Sequence, residues 1–293
     1  MNKNFTGTGV ALVTPFHKEE DVDFTALGNI IENIISSGVD YIVCLGTTSE
    51  AATMNSQERR AVLDYTIEVT SNRVPIVLGL GGNNTRELMD KINHTDFSGV
   101  SALLSVAPYY NKPNQRGIYE HFKYVASSSP VPVLLYNVPG RTSSNIEAQT
   151  AVHLAQTVPN IIGIKEASGN FAQVMELLRT KPKDFIVISG EDALTLPLMS
   201  LGVKGVISVT ANAFPKQVST MVNLCLKGKF TEAQELHYQL LPITNALFAD
   251  GNPAGVKAAL EIQKVCKAHL RLPLVNINET LQTELAVMIK EIK

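Results

Sequence analysis

Lys165 closes the run Asn160-Ile161-Ile162-Gly163-Ile164-Lys165-Glu166-Ala167-Ser168, an apolar strand that delivers one amine to the place where a buried backbone ends. An ordinary lysine ammonium has a pKa of about 10.4, so one that attacks carbonyls near neutral pH needs partial desolvation or nearby positive charge. The flanking isoleucines supply the desolvation, and the chemistry such an amine would do is imine formation. Strand alternation puts Ile161, Gly163 and Lys165 on one face and Ile162 and Ile164 on the other, with Gly163 expected to leave room beside the lysine. The competing reading is a strand-end lysine that is solvated or paired with the adjacent Glu166.

Other reactive groups fall at the ends of similar apolar runs. The segment Gly46-Thr47-Thr48-Ser49-Glu50 offers hydroxyls and backbone N–H groups suited to holding a carboxylate or passing a proton. An ordinary helix cap with Glu50 in the first turn is the alternative there. In Ala107-Pro108-Tyr109-Tyr110-Asn111-Lys112-Pro113 two tyrosines lie just past a strand, and Leu135-Tyr136-Asn137-Val138-Pro139-Gly140-Arg141-Thr142 sets a phenol at a strand end and a guanidinium five residues later. A phenol can carry a proton toward a forming or collapsing amine, and arginine can grip a carboxylate through two parallel bonds. Taken singly, each fits a buried structural tyrosine or a surface arginine. Their force lies in convergence, because Thr47, Tyr110, Tyr136 and Lys165 share one end of four strands if the strands are parallel.

Short β-branched runs alternate with amphipathic stretches along most of the chain. The strand candidates are Gly9 to Thr14, Tyr41 to Gly46, Pro75 to Gly81, Ala102 to Pro108, Val131 to Pro139, Ile161 to Ala167, Phe185 to Glu191 and Gly205 to Val209. Helical patterns between them run over Phe24 to Ser37, Ser56 to Ser71, Thr85 to Phe97, Gly117 to Ser127, Glu147 to Gln156, Phe171 to Thr180 and Ala193 to Leu201. Eight such units predict an α/β fold, a (β/α)8 TIM barrel whose active site sits at the C-terminal strand ends. An open doubly wound sheet fits less well, since no G-x-G-x-x-G turn follows the first strand and Gly79-Leu80-Gly81-Gly82-Asn83-Asn84 is incomplete. Pro215 to Lys227 reads as the last barrel helix. Phe230 to Ala249, Ala254 to Ala268 and Glu279 to Ile292 read as a C-terminal helical extension, giving a catalytic barrel over 1–228 and a helical domain over 229–293.

Composition narrows the function classes. Hydrophobic residues make up 45% and charged residues 18% of the 293, without a low-complexity tract or an apolar run of membrane-spanning length. Met1 to Gly9 hold no long apolar segment behind their charge, so no secretory signal and a cytoplasmic location are expected. Cys44, Cys225 and Cys266 stand singly, and the six histidines show no ligand spacing, so no catalytic metal is expected. A net charge of −2 without a basic stripe leaves nothing to neutralise a phosphate backbone, which argues against nucleic acid.

Gly46-Thr47-Thr48-x-Glu50, Pro108-Tyr109-Tyr110-Asn111, Tyr136-Asn137-Val138-Pro139-x-Arg141-Thr142, Gly163-Ile164-Lys165-Glu166-Ala167, Ser189-Gly190-x-Asp192, Gly205-Val206-Ile207-Ser208-Val209 and Asn252-Pro253-Ala254-Gly255-Val256-Lys257 together resemble the dihydrodipicolinate synthase family. The resemblance spans the barrel and reaches the helical extension. It implies a lyase of the diaminopimelate and lysine pathway that condenses pyruvate with L-aspartate 4-semialdehyde, with Lys165 as the imine-forming lysine and no separate cofactor. It further implies a proton relay of Tyr136, Thr47 and Tyr110, the last reaching in from a neighbouring subunit of a homo-oligomer, commonly a tetramer built as a dimer of dimers. Thr48 would hold the pyruvate carboxylate, Arg141 that of the semialdehyde, and Gly190 and Ile207 would shape the imine pocket through their backbones. Lysine-inhibited relatives place an effector on residues matching Asn83, Glu87 and Tyr109, often with histidines where this chain has Ser56 and Arg59. An arginine there would repel a lysine side chain, so weak or altered feedback is expected. Ser49 stands where many relatives carry glycine, so the loop needs no positive φ at that position.

Two alternatives remain open at this level. Another pyruvate-dependent Schiff-base aldolase, an N-acetylneuraminate lyase or a keto-deoxy-sugar acid aldolase, would share the lysine and the strand tyrosine. A barrel that binds a small acid without turnover would share the fold alone.

Overall fold

The apolar runs form the eight strands β1 (Gly7–Ala11), β2 (Tyr41–Cys44), β3 (Ile76–Gly79), β4 (Ala102–Val106), β5 (Val133–Asn137), β6 (Ile161–Glu166), β7 (Ile186–Ser189) and β8 (Gly205–Ser208) of the computed structural model, which describes residues 5–292. Neighbours pair in parallel in sequence order and β8 returns to β1, closing the barrel. Strands buried on both faces need continuous apolar sequence, because side chains fill the interior while helices cover the outside. That is the composition these runs have.

Parallel neighbours demand crossovers, and the helices supply them: α1 (Phe24–Ser36), α2 (Ser56–Thr70), α3 (Thr85–Asn93), α4 (Gln115–Ser128), the single turn α5 (Pro139–Thr142), α6 (Ala148–Thr157), α7 (Phe171–Thr180), α8 (Thr195–Ser200) and α9 (Pro215–Leu226). Several begin alike. The side chains of Asp23, Asn55, Asn84, Asn114 and Asn170 each accept the backbone N–H three residues on, satisfying a donor that the helix cannot. In α1 the stripe Ala26, Leu27, Ile30, Ile31 and Ile34 is buried against the barrel, as the 3.6-residue period requires.

The elements are mostly shorter than their sequence patterns. The run Val131 to Pro139 yields a strand only to Asn137, since Pro139 opens α5, where its fixed φ and missing N–H suit a first helical position. The first strand occupies Gly7–Ala11 rather than Gly9 to Thr14. Beyond Ala11 one backbone bond to β2 remains, from the Leu12 N–H to Val43 O at 3.0 Å, and a side chain then takes over, with the Val13 N–H donating to Asn212 Oδ1 at 3.1 Å and Asn212 Nδ2 donating to Ala11 O at 2.8 Å. The third helix stops at Asn93, where Thr95 and Asp96 form local turn bonds, instead of reaching Phe97.

Beyond the barrel come α10 (Phe230–Ala249), α11 (Ala254–Ile262) and α12 (Glu279–Glu291). The helical pattern Ala254 to Ala268 ends early, at a left-handed Lys264 with φ 63°. These helices are not an independent layer of apolar packing: Leu240, Ile243, Leu247, Val256, Leu260 and Leu285 join Val10, Ile42 and Ile207 in one cluster. Among the described residues no helix is long and apolar enough to cross a membrane, and no group of His, Cys, Asp or Glu could hold a metal ion. The N-terminal reading for signal peptides falls partly on residues 1–4, which lie outside the described residues.

Candidate active site

Register decides what the site contains. In β6, Lys165 pairs with Tyr136 of β5 on one side and Ile188 of β7 on the other, and all three sit near the C-terminal strand ends. Lys165 is 6% exposed and its Nζ lies 4.3 Å from the centroid of the Tyr136 ring, itself buried. The adjacent Glu166 points the other way. Its carboxylate accepts from Asn137 Nδ2 at 3.0 Å, the Ser168 N–H at 2.7 Å and Gln173 Nε2 at 3.0 Å, so it is satisfied by neutral donors outside the barrel. No described carboxylate forms an ion pair with Lys165, which removes the reading of a lysine paired with its neighbour.

The space beside the amine is made by a different glycine from the one expected. A Cβ on Gly163 would lie 2.3 Å from Ile186 Cγ1 and 2.7 Å from Ile186 O, so that space is already packed by the neighbouring strand. Gly190 is the neighbour of the lysine: a Cβ there would lie 2.9 Å from Lys165 Cε and 2.5 Å from Ala167 Cβ. Glycine at 190 therefore gives the lysine stem its passage. Ile207 is fully buried in β8, opposite Gly9 of β1.

Past β2 the chain makes two tight turns, Thr47–Ser49 and Ala51–Thr53, joined at Glu50 in the left-handed conformation with φ 57°. Positive φ falls on Leu45 and Glu50, and Ser49 avoids it, as its identity requires. Thr47 is exposed, while Thr48, Ser49 and Glu50 are buried. Glu50 is not a first-turn capping residue. Its carboxylate meets Lys257 Nζ at 2.5 Å with both side chains fully buried, and it also accepts the Arg271 N–H at 3.1 Å. Burial lowers the Lys257 pKa and the Glu50 carboxylate pulls it back up. The Lys257 ammonium and the Arg271 guanidinium lie over the Phe16 ring at 4.2 and 4.4 Å, and Arg271 also binds Glu58 and the Glu20 and Thr53 carbonyls.

Tyr110 is 87% exposed, held in a left-handed conformation with φ 71° on the β4–α4 connection, its N–H 3.4 Å from Thr142 O. Within one subunit its phenol is thus presented outward. Arg141 is exposed on α5. Glu191, half-buried after β7, feels both cations of the site: burial and then Asp192 raise its carboxyl pKa, while Lys165 and Arg141 draw it down. Asp192 is structural, accepting from Ser208 Oγ and from the Val209 N–H at 2.8 Å, with burial raising its pKa. Of the three effector candidates, Asn83 and Tyr109 come together, Asn83 Nδ2 lying 3.5 Å from Tyr109 O, while the Glu87 carboxylate is engaged by Lys91 at 2.5 Å. The sequence reading missed Glu191, Lys257 and Arg271 as parts of this region. Glu191 was detectable as an acid one residue past Gly190, but no local pattern links Lys257 and Arg271 to a loop two hundred residues earlier.

The architecture has close counterparts. A 4-hydroxy-tetrahydrodipicolinate synthase of Flavobacterium psychrophilum is 49% identical over 98% of both chains. The crystal structure of dihydrodipicolinate synthase from Aquifex aeolicus superposes with a TM-score of 0.94 at 39% identity over 98% of both chains. A monomeric dihydrodipicolinate synthase variant gives a TM-score of 0.96 at 35% identity, over 99% of this chain and 97% of its own. With the profile of the Dihydrodipicolinate synthetase family matching residues 4–292, and the inward lysine, the strand tyrosine and the threonine loop all at one barrel mouth, this chain belongs to that family.

Proposed function

We propose that this chain is a lyase that condenses pyruvate with L-aspartate 4-semialdehyde, as a 4-hydroxy-tetrahydrodipicolinate synthase of lysine and diaminopimelate biosynthesis. The carrying observation is the Lys165 amine, buried, set beside the inward Tyr136 ring and without a carboxylate ion-pair partner among the described residues. Attack on the pyruvate ketone forms a C–N bond and expels the carbonyl oxygen as water. The resulting imine withdraws electrons, a methyl proton leaves, and the enamine carbon bonds to the semialdehyde carbonyl. The amine of the second substrate then attacks the imine carbon, closes the ring and releases Lys165. The lysine imine is itself the electron sink, so the reading calls for no separate cofactor.

Thr48 and the turn amides beside it would hold the pyruvate carboxylate, and Arg141 that of the semialdehyde, with Gly190 and the Ile207 backbone flanking the imine. Tyr136, Thr47 and Tyr110 would relay protons. The outward Tyr110 suits a phenol lent to a second copy, and Met175 and Leu201 are large exposed apolar side chains on α7 and just beyond α8, suited to further subunit contact. A homotetramer, as a dimer of dimers, fits both features. The three cysteines are buried and unbridged, which suits the cytoplasm.

The test is borohydride reduction in the presence of pyruvate followed by peptide mass analysis. The expected result is a reduced pyruvate adduct on Lys165, followed by turnover when semialdehyde is supplied. No adduct would defeat every imine-based reading.

A further inference from the structure

Asn252, between α10 and α11, reaches across to the loop after β2. Its Nδ2 donates to Thr48 Oγ1 at 3.0 Å, both residues are buried, and 204 positions of sequence separate them. A threonine hydroxyl has one proton to give and two lone pairs. With the amide of Asn252 on one lone pair, the Thr48 proton cannot point at Asn252, and no described residue accepts it. The hydroxyl is thereby left as a spare donor in the loop. The same loop is pinned two residues later, where Glu50 is locked by Lys257 from α11 and by the backbone of Arg271. Asn252 Oδ1 is buried and has no partner among the described residues, so the asparagine makes no side-chain bond that competes with this one.

We propose that Asn252 is a positioning residue of the anion site, fixing the Thr48 hydroxyl as a hydrogen-bond donor to the carboxylate of the 2-oxo acid. The proposal rests on the reading of Thr48 given above and assigns the C-terminal helices a part in binding the first substrate. Replacing the amide by a carboxylate reverses the polarity of the contact. An ionised aspartate side chain in place of Asn252 could only accept, the Thr48 proton would swing toward it, and the substrate carboxylate would lose its donor.

The experiment measures the pyruvate concentration that half-saturates borohydride trapping on Lys165, in the full-length protein, for wild type, Asn252→Asp, Asn252→Ala, Thr48→Val and the double variant Asn252→Ala with Thr48→Val. A hydrogen bond to a charged group sets the scale, so half-saturation should rise about 10- to 100-fold in Asn252→Asp, with the KM for semialdehyde changing less than about threefold. Asn252→Ala should raise it less, and should add nothing in the Thr48→Val background. If Asn252→Asp does not fold, the alanine pair carries the same comparison, with equilibrium unfolding showing that each variant is native. An adduct in the wild type with unchanged half-saturation in the Asn252 variants, or additive effects in the double variant, would overturn this inference alone. Absence of an adduct in the wild type would overturn the imine reading and this inference with it.

Discussion

Replacing Gly190 by alanine tests whether the lysine stem has the narrow passage that its surroundings imply. The new Cβ would lie 2.9 Å from Lys165 Cε and 2.5 Å from Ala167 Cβ. The Ala167 Cβ is the closer and less yielding contact and forces the backbone at 190 to shift, while Lys165 Cε, about 1 Å short of ordinary carbon–carbon contact, lies on a flexible stem that gives way, so Nζ should move by roughly that much. A displacement of about 1 Å from a productive geometry costs roughly 10²-fold in rate. Overpacking costs about 1–3 kcal/mol in stability, against the roughly 5–15 kcal/mol typical of native proteins. The assay is rapid-mixing borohydride trapping at saturating pyruvate, with urea unfolding run in parallel to confirm the native state. The expected outcome is a native protein that forms the Lys165 adduct about a hundredfold more slowly. A trapping rate within about threefold of wild type would refute the claim that Gly190 sets the position of the amine.

Further outcomes follow from other parts of the molecule. Lys257→Met strands the buried Glu50 carboxylate and should cost about 3–5 kcal/mol by denaturant unfolding, whereas pairing it with Glu50→Gln should recover most of the loss; equal destabilisation in both would contradict the ion-pair reading. His121 is buried, shares a proton between Nδ1 and Thr85 Oγ1 at 2.8 Å, and burial pushes its pKa down to about 4. The unfolded chain therefore binds the extra proton between about pH 6.5 and 4, so up to about 3 kcal/mol of stability should be lost as pH falls through that window, and His121→Gln should flatten the curve. Arg141→Ala should raise the KM for semialdehyde far more than that for pyruvate, and equal effects would favour a sugar-acid aldolase. If Arg59 faces the effector position that the resemblance implies, it would repel a lysine side chain, so lysine at micromolar concentration should leave turnover unchanged, and strong inhibition there would remove that argument.

The barrel was legible because its strands are buried on both faces and so write themselves as unbroken apolar runs. The shared face of Gly163 and Lys165 was legible too, since alternation holds from Gly163 to Glu166, but the expectation that Ile161 joins them fails: the register against β5 skips Ile162, and Ile161 packs with Ile164, Val133 and Leu135 instead. What the period could not show is which neighbour fills each gap: Gly163 reads as open space in one dimension, and only the pairing with β7 shows Ile186 occupying it. The ends of elements were overextended for a related reason. An apolar residue such as Val13 continues a strand pattern after its N–H has passed from the ladder to the side chain of Asn212. The Glu50–Lys257–Arg271 cluster lay beyond reach because its members are spread over 221 positions and are ordinary surface residue types taken one at a time.

The opposed directions of Lys165 and Glu166 have a consequence for how the protein can fail. One residue of slippage in β6 would exchange them, placing a carboxylate at the centre of the mouth and an ammonium among the amides that now surround Glu166. Such a molecule could keep a barrel and a core, yet it would have no amine to offer a ketone. The tight fit of Gly163 under Ile186 and the four donor contacts around Glu166 both oppose that slip. Under the imine reading, the alignment of this one strand decides whether an amine or a carboxylate faces the mouth, so the trapped fraction in a refolded sample would count correctly aligned barrels rather than merely folded ones.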